Sequence, residues 1–167
     1  RGARVGHRMA LDAQERVSKL TVLDIVPTHK IFSTVDRQVA RHYFLWFFLS
    51  QPADFPESII GADPERYLRT CLGTFSADAG MFSDAAFAEY VRCLSDPETI
   101  HASCEDYRAA ASIDLEHDEA DLDKKIACPV FALWSSKRGA GQAPHDVMAA
   151  WRERAHDVRG QTLDCGH

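Results

Sequence analysis

The sequence predicts an α/β protein whose mostly parallel sheet is interrupted by a helical insertion. Three observations predict it. The runs Leu20–Val26 and Cys128–Trp134 are short and almost wholly apolar, the character of parallel strands covered on both faces. Segments of helical spacing stand before the first run and after the second, as crossover connections do. Between Ile31 and Asp123 the strand pattern vanishes and only helical signals remain. The core is therefore assigned to residues 1–30 and 124–167, and a helical cap to residues 31–123.

Residues 2–17 read as a helix. Val5, Met9 and Leu11 with Ala3, Ala10 and Ala13 form its apolar stripe, and Gly2, Ala3 and Gly6 allow close approach to a strand. The strand Leu20–Val26 follows, and Pro27 ends it. A helix that leads into a buried parallel strand implies another strand upstream, so the chain is expected to be part of a longer one. Thr34–Ser50 reads as one amphipathic helix rich in aromatics, and Pro52, Pro56 and Gly61 break the next stretch. Asp63-Pro64 and Asp96-Pro97 each supply an N-cap and a proline for the first helical position. With Ser83–Ser95 these give about four helices, placed as a lid over a sheet. Strand Cys128–Trp134, helix Ala143–His156 and strand Val158–Leu163 complete the core, ending on Gly166-His167.

The composition sets bounds on function. At 167 residues and 46% hydrophobic, the chain can bury one core and a smaller lid. A net charge of −6 with no basic stripe speaks against a nucleic-acid surface. The longest apolar run, Tyr43–Leu49, has 7 residues, far below the roughly 18 of a membrane span. Arg1-Gly2-Ala3-Arg4 lacks the basic-then-apolar layout of a signal peptide. The five cysteines are odd in number and form no C-x-x-C pair, so free thiols in a reducing cytoplasm are expected, without a zinc site or disulfide scaffold.

Two residues carry the chemistry. Asp24 lies where the first strand meets its loop, and His167 lies where the last strand meets its own. In open parallel sheets chemistry collects at the carboxyl ends of strands. A base histidine needs an acid to fix its tautomer. The order acid then histidine, after an earlier nucleophile, is that of the α/β-hydrolases. The plain alternatives are a turn-capping aspartate and an ordinary tail histidine. Arg1 and Arg4 lie one helical turn apart at a helix start, where cations oppose the macrodipole. An anionic ligand would account for them, since guanidinium grips carboxylate bidentately. Trp46 and Tyr107 bring N–H and O–H donors to the lid, although aromatics at helical spacing are usually core. The charged stretches Glu105–Arg108 and Asp114–Asp118 fit a solvated face better than a metal site.

Three segments carry a resemblance. Arg1-Gly2-Ala3-Arg4-Val5-Gly6-His7-Arg8-Met9-Ala10-Leu11-Asp12, Leu20-Thr21-Val22-Leu23-Asp24-Ile25-Val26-Pro27-Thr28 and Asp106-Tyr107-Arg108-Ala109-Ala110-Ala111-Ser112-Ile113-Asp114-Leu115-Glu116-His117-Asp118 closely resemble the haloacetate (fluoroacetate) dehalogenases. The likeness runs over nearly the whole chain. It implies an α/β-hydrolase fold, here the C-terminal part of a mostly parallel sheet, with an inserted helical cap. It also implies an aspartate nucleophile immediately before Arg1, a carboxylate clamp of Arg1 and Arg4, His167 as base, Asp24 as its orienting acid, and Trp46 and Tyr107 as halide donors. Leu45 stands where the family has a histidine before its tryptophan, which should weaken stabilisation of fluoride more than of chloride or bromide. His42, one turn earlier, is the residue placed to substitute.

The implied reaction is displacement of halide by a carboxylate, followed by hydrolysis of the ester by water that His167 activates, giving a 2-hydroxy acid. No metal or organic cofactor is called for. The expected partners are a small halogenated carboxylate and water, with no nucleic acid and no membrane, and a homodimer is the assembly to test. An epoxide hydrolase of the same fold is the nearest alternative. A non-catalytic carboxylate-binding pseudoenzyme is the alternative from another class, and the chain by itself, lacking the nucleophile, is expected to be inactive.

Overall fold

The computed structural model describes residues 2–76, 80–137 and 145–167 of the chain. Among them three parallel strands, β1 (Leu20–Leu23), β2 (Val130–Ser135) and β3 (Val158–Leu163), form a sheet in that order. Leu20 pairs with Val130, and Val130 in turn with Val158. All three strands therefore end at one edge of the sheet, and the loops that follow them are neighbours. Helix α1 (Gly2–Asp12) precedes β1, and α10 (Val147–Arg154) connects β2 to β3.

The strands alternate in burial. Leu20, Val22, Val130 and Ala132 are buried, whereas Leu23 is 63% and Phe131 40% exposed. The sequence predicted strands covered on both faces; the structure covers one. The reason is geometric: α1 and α10 lie on the same side, where the His7 ring meets the Trp151 ring edge-on at 5.4 Å. Trp151 is fully buried, and its indole N–H donates to the Ile25 carbonyl at 2.9 Å. That bond ties α10 to the loop leaving β1.

Strand β3 packs closely on β2 at Gly160. A Cβ there would stand 2.3 Å from the Ala132 carbonyl oxygen and 3.0 Å from Trp134 and Met148 side-chain atoms. Gly160→Ala is expected to destabilise the fold by about 1–3 kcal/mol, read as a lower urea midpoint.

Among the described residues, eight helices separate β1 from β2: α2 (Thr28–Ser33), α3 (Arg37–His42), α4 (Phe44–Leu49), α5 (Phe55–Ala62), α6 (Pro64–Phe75), α7 (Asp84–Leu94), α8 (Pro97–Ala110) and α9 (Ile113–Ala120). The predicted caps are in place. Asp63 accepts from the Arg66 amide at 3.0 Å and Asp96 from the Glu98 amide at 3.1 Å.

Other boundaries differ from the sequence reading. The first helix ends at Asp12, and residues 14–16 form a 3₁₀ turn. β1 stops at Leu23, because Asp24 takes a left-handed conformation (φ 53°). β2 runs Val130–Ser135. Helices α2, α5 and α9 were not foreseen, so eight described helices stand where about four were expected. The aromatic helix expected over Thr34–Ser50 is two helices. Asp36 accepts from the Gln38 and Val39 amides, both at 2.8 Å, and starts α3. The chain then breaks at Tyr43. The break lets Tyr43 and Trp46 pack on the sheet-side core while Leu45 and Phe48 pack on a second core built from Leu49, Ile60, Ile100 and Cys104. The last helix begins at Val147; the expected start at Ala143-Pro144 lies outside the described residues.

Charged side chains fasten α9 to α1 and α2, and α8 to α5. Arg8 on α1 pairs with Asp12 at 2.7 Å and with Asp121, and donates to the His117 carbonyl at 3.3 Å. Asp118 is buried and accepts from the His29 amide at 3.3 Å. The acidic segment read as a solvated face is thus partly a structural lock. Glu105–Arg108 joins a second lock, in which Arg108 bonds Glu57 at 2.8 Å, Glu105 at 2.6 Å and the Gln51 carbonyl at 2.8 Å. Among the described residues no group of three His, Cys, Asp or Glu side chains is disposed to hold a metal ion. No described helix is long and apolar enough to cross a membrane.

Candidate active site

The site starts from the left-handed turn at Asp24. Aspartate tolerates this conformation better than most residues with a Cβ. The Asp24 amide donates to the Leu133 carbonyl at 2.7 Å, which extends the β1–β2 ladder by one step. Its carboxylate then faces the end of β2. The Ser135 amide donates to Oδ1 at 3.0 Å, and the Ser135 hydroxyl lies 3.0 Å from Oδ1 and 2.9 Å from Oδ2. His167 completes the arrangement: its Nδ1 bonds Asp24 Oδ2.

The turn that carries His167 is itself held. The Ser136 amide donates to the Leu163 carbonyl at 2.9 Å and the Lys137 amide to the Cys165 carbonyl at 3.2 Å. The Lys137 ammonium pairs with Asp164 at 3.1 Å. The imidazole therefore sits over the carboxyl end of β2, between the tips of β1 and β3.

Burial alone would raise the Asp24 pKa. The bonds from His167 and Ser135 outweigh it and hold the carboxyl below its ordinary value, so Asp24 stays ionised. A depressed folded-state pKa gives stability that is present above the unfolded value, about 3.9, and lost as the pH falls through the folded one. Ser135→Ala removes the hydroxyl bonds and leaves the amide bond. It is expected to raise the Asp24 pKa and to cost about 1–2 kcal/mol of stability. A carbon-detected NMR titration of the Asp24 carboxyl, alongside denaturation at neutral pH, checks both.

A second group lies on α1 and the helices that separate β1 from β2. Arg4 Nη1 donates to the Val26 carbonyl at 3.1 Å and to Thr28 Oγ1 at 3.0 Å. Its guanidinium carbon lies 4.0 Å over the Trp46 ring, a cation–π contact that fixes the plane of the fork. Trp46 meets Tyr107 edge-on with centroids 5.6 Å apart. Arg4, Trp46 and Tyr107 thus form one continuous stack from α1 through α4 to α8. Arg1 lies outside the described residues.

Tyr43 links the two groups. It meets Trp46 at 5.9 Å, and burial pushes its phenol up to about 12, with Arg4 lowering it and Asp24 raising it. His42 packs edge-on against the same ring at 4.8 Å, and His145 stacks on it at 6.3 Å. Sequence reasoning missed Ser135, Thr28 and Tyr43. For Ser135 a signal existed: a hydroxyl at the end of a predicted strand, where the acid's neighbour must lie. Tyr43 looked like any other core aromatic.

A cleft of ≈ 490 Å³ opens beside α1, lined by Arg4, Arg8, Asp12, Asp106, Asp114 and Asp118 among others. Asp24 and His167 do not line it. Four carboxylates line it, those of Asp12, Asp106, Asp114 and Asp118, two of them beside Arg8. The hydrogen-bonded pair of Asp24 and His167 locates the candidate chemistry.

No family model matches the chain. It is 43% identical over its full length to a fluoroacetate dehalogenase from Burkholderia sp, of which it covers 55%. It is 31% identical over 99% of its length to a soluble epoxide hydrolase from Corynebacterium sp. (strain C12), of which it covers 57%. Among solved structures, a candidate α/β hydrolase from Nostoc sp PCC 7120 superposes with a TM-score of 0.95 at 57% identity, over 99% of this chain and 56% of that one. The chain spans about half the length of the curated relatives it matches. It has the α/β-hydrolase fold, and along its whole length it is similar to a fluoroacetate dehalogenase.

Proposed function

We propose that this chain carries the water-activating half of a hydrolytic dehalogenase that acts on haloacetates. One observation carries the reading: the ionised Asp24, tied down by Ser135, accepts the Nδ1 proton of His167. That bond leaves Nε2 as the basic nitrogen, which is what activation of water requires.

The chemistry has two steps. An aspartate immediately before Arg1 attacks the carbon that bears the halogen; a C–O bond forms, the C–halogen bond breaks and halide departs. Arg1 and Arg4 hold the substrate carboxylate for in-line attack. The Trp46 N–H and Tyr107 O–H stabilise the leaving halide. His167 Nε2 then takes a proton from water, hydroxide adds to the ester carbonyl, and the acyl C–O bond breaks. The imidazolium returns its proton to the departing 2-hydroxy acid. Similarity to a fluoroacetate dehalogenase supports the substrate class.

The second reading, an epoxide hydrolase, is supported by the 31% identical relative. It shares the acid–base pair but has no use for a carboxylate clamp. Assay of the intact protein with chloroacetate and with a neutral epoxide separates the two: chloride release is expected, and epoxide opening without it would overturn the dehalogenase reading.

Leu45 bears on the halogen. Its side chain packs against the cap cluster of Leu49, Ile60, Ile100 and Cys104, so that position offers the leaving group no donor. Fluoride depends most on donors, because it is the poorest leaving group. Leu45→His is expected to raise the ratio of fluoroacetate to chloroacetate turnover, while costing about 1–3 kcal/mol of cap stability for the buried imidazole. Steady-state kinetics on both substrates, with a melting curve, provide the check.

A further inference from the structure

We propose that Tyr43 is a further member of the carboxylate clamp, its hydroxyl donating to the substrate carboxylate that Arg4 holds. The inference rests on the clamp proposed above and extends it by one residue.

Packing fixes the ring. Tyr43 closes α3 and opens α4, and its neighbours hold it from three sides. Trp46 meets it edge-on at 5.9 Å, His42 edge-on at 4.8 Å, and His145 stacks on it at 6.3 Å with 25° between the planes. The same Trp46 carries the Arg4 guanidinium 4.0 Å from its ring centroid. Tyr43 and Arg4 therefore pack on one indole, and a ligand seated on the guanidinium lies beside the phenol.

The hydroxyl end is open. Among the described residues it takes part in no hydrogen bond, and it does not belong to the buried polar atoms that lack a partner, so a ligand can reach it. Two charged side chains act on this oxygen, Arg4 more strongly than Asp24. The Asp24 carboxylate already accepts from Ser135 and His167. The acceptor that the phenol lacks is then an anion held by Arg4. Burial pushes the phenol up to about 12, so at neutral pH it keeps its proton and acts as a donor. A carboxylate has about four lone-pair sites. It can take a guanidinium edge and a phenol hydrogen bond together, and the second bond is charge-assisted.

The test uses the intact protein and acetate, a carboxylate without a leaving group. Acetate affinity is read by ligand-observed NMR and as competitive inhibition of chloride release from chloroacetate. Tyr43→Phe keeps the ring against Trp46 and His145 and removes only the oxygen. Acetate should bind about 10–100-fold more weakly to the variant, the range of a hydrogen bond to a charged group. KM for chloroacetate should rise to match, with kcat within about threefold of the parent, as for a contact made equally in ground and transition states. The melting temperature should not change, because the hydroxyl has no partner in the protein to lose. A parent that releases chloride, with equal acetate affinity in both proteins or a fall in melting temperature in place of a fall in affinity, would overturn the assignment of Tyr43 alone. A parent that neither releases chloride nor binds acetate would overturn the dehalogenase reading and this inference with it.

Discussion

Asp24→Asn in the intact protein is expected to lower haloacetate turnover about 10⁴-fold, the loss typical when a triad acid becomes its amide. The cause is the tautomer. The substituted side chain would keep an acceptor for the Ser135 amide, which lies 3.0 Å from Oδ1, and turn its NH₂ toward His167 Nδ1. The imidazole would then carry its proton on Nε2 and could no longer take one from water. Ester formation does not use this pair, so one equivalent of halide should still be released in a burst before turnover stalls. Stopped-flow halide detection reads burst and steady state together. Steady turnover within tenfold of the parent would remove Asp24 from the mechanism.

The second large effect is expected at Arg4. Arg4→Ala should lower kcat/KM for chloroacetate by about 10²–10³, about 3–4 kcal/mol and within the range lost when one partner of a buried charge pair is removed. Arg4→Lys should recover little, because an ammonium lacks the planar fork that lies 4.0 Å over Trp46. Stability should fall as well, by about 1–2 kcal/mol, through the bonds to the Val26 carbonyl and Thr28. The kinetic loss should exceed the stability loss. Turnover of a neutral epoxide, if the protein has any, should be unaffected by the clamp. Parallel losses on charged and neutral substrates would mean that Arg4 serves only the fold.

The meeting of Asp24 and His167 was legible in the sequence because each follows a segment that reads as a parallel strand, and in a parallel sheet the carboxyl ends of strands meet. Asp24 and His167 are 143 residues apart and share a hydrogen bond. The Asp-Pro starts of α6 and α8 were legible for the same kind of reason, since capping is local chemistry written in two adjacent residues. Ser135 was less so. Its place next to Asp24 follows from the pairing of Leu23 with Leu133, and register is a property of two strands together. The division of Thr34–Ser50 into α3 and α4 was hidden because both halves have helical spacing. What breaks them is tertiary: Tyr43 and Trp46 turn to one core, Leu45 and Phe48 to another. The one-sided burial of the sheet was also misread. An apolar run fixes the type of strand more firmly than it fixes which faces are covered.

The central claim is that His167, held by Asp24, hydrolyses an ester formed on an aspartate immediately before Arg1. Peptide mapping by mass spectrometry of a His167→Gln variant of the intact protein, after incubation with chloroacetate, tests it most directly. A carboxymethyl ester on that aspartate, with one chloride released per chain and no accumulating glycolate, is the predicted result. Continued glycolate formation, or an unmodified protein after chloride release, would contradict it.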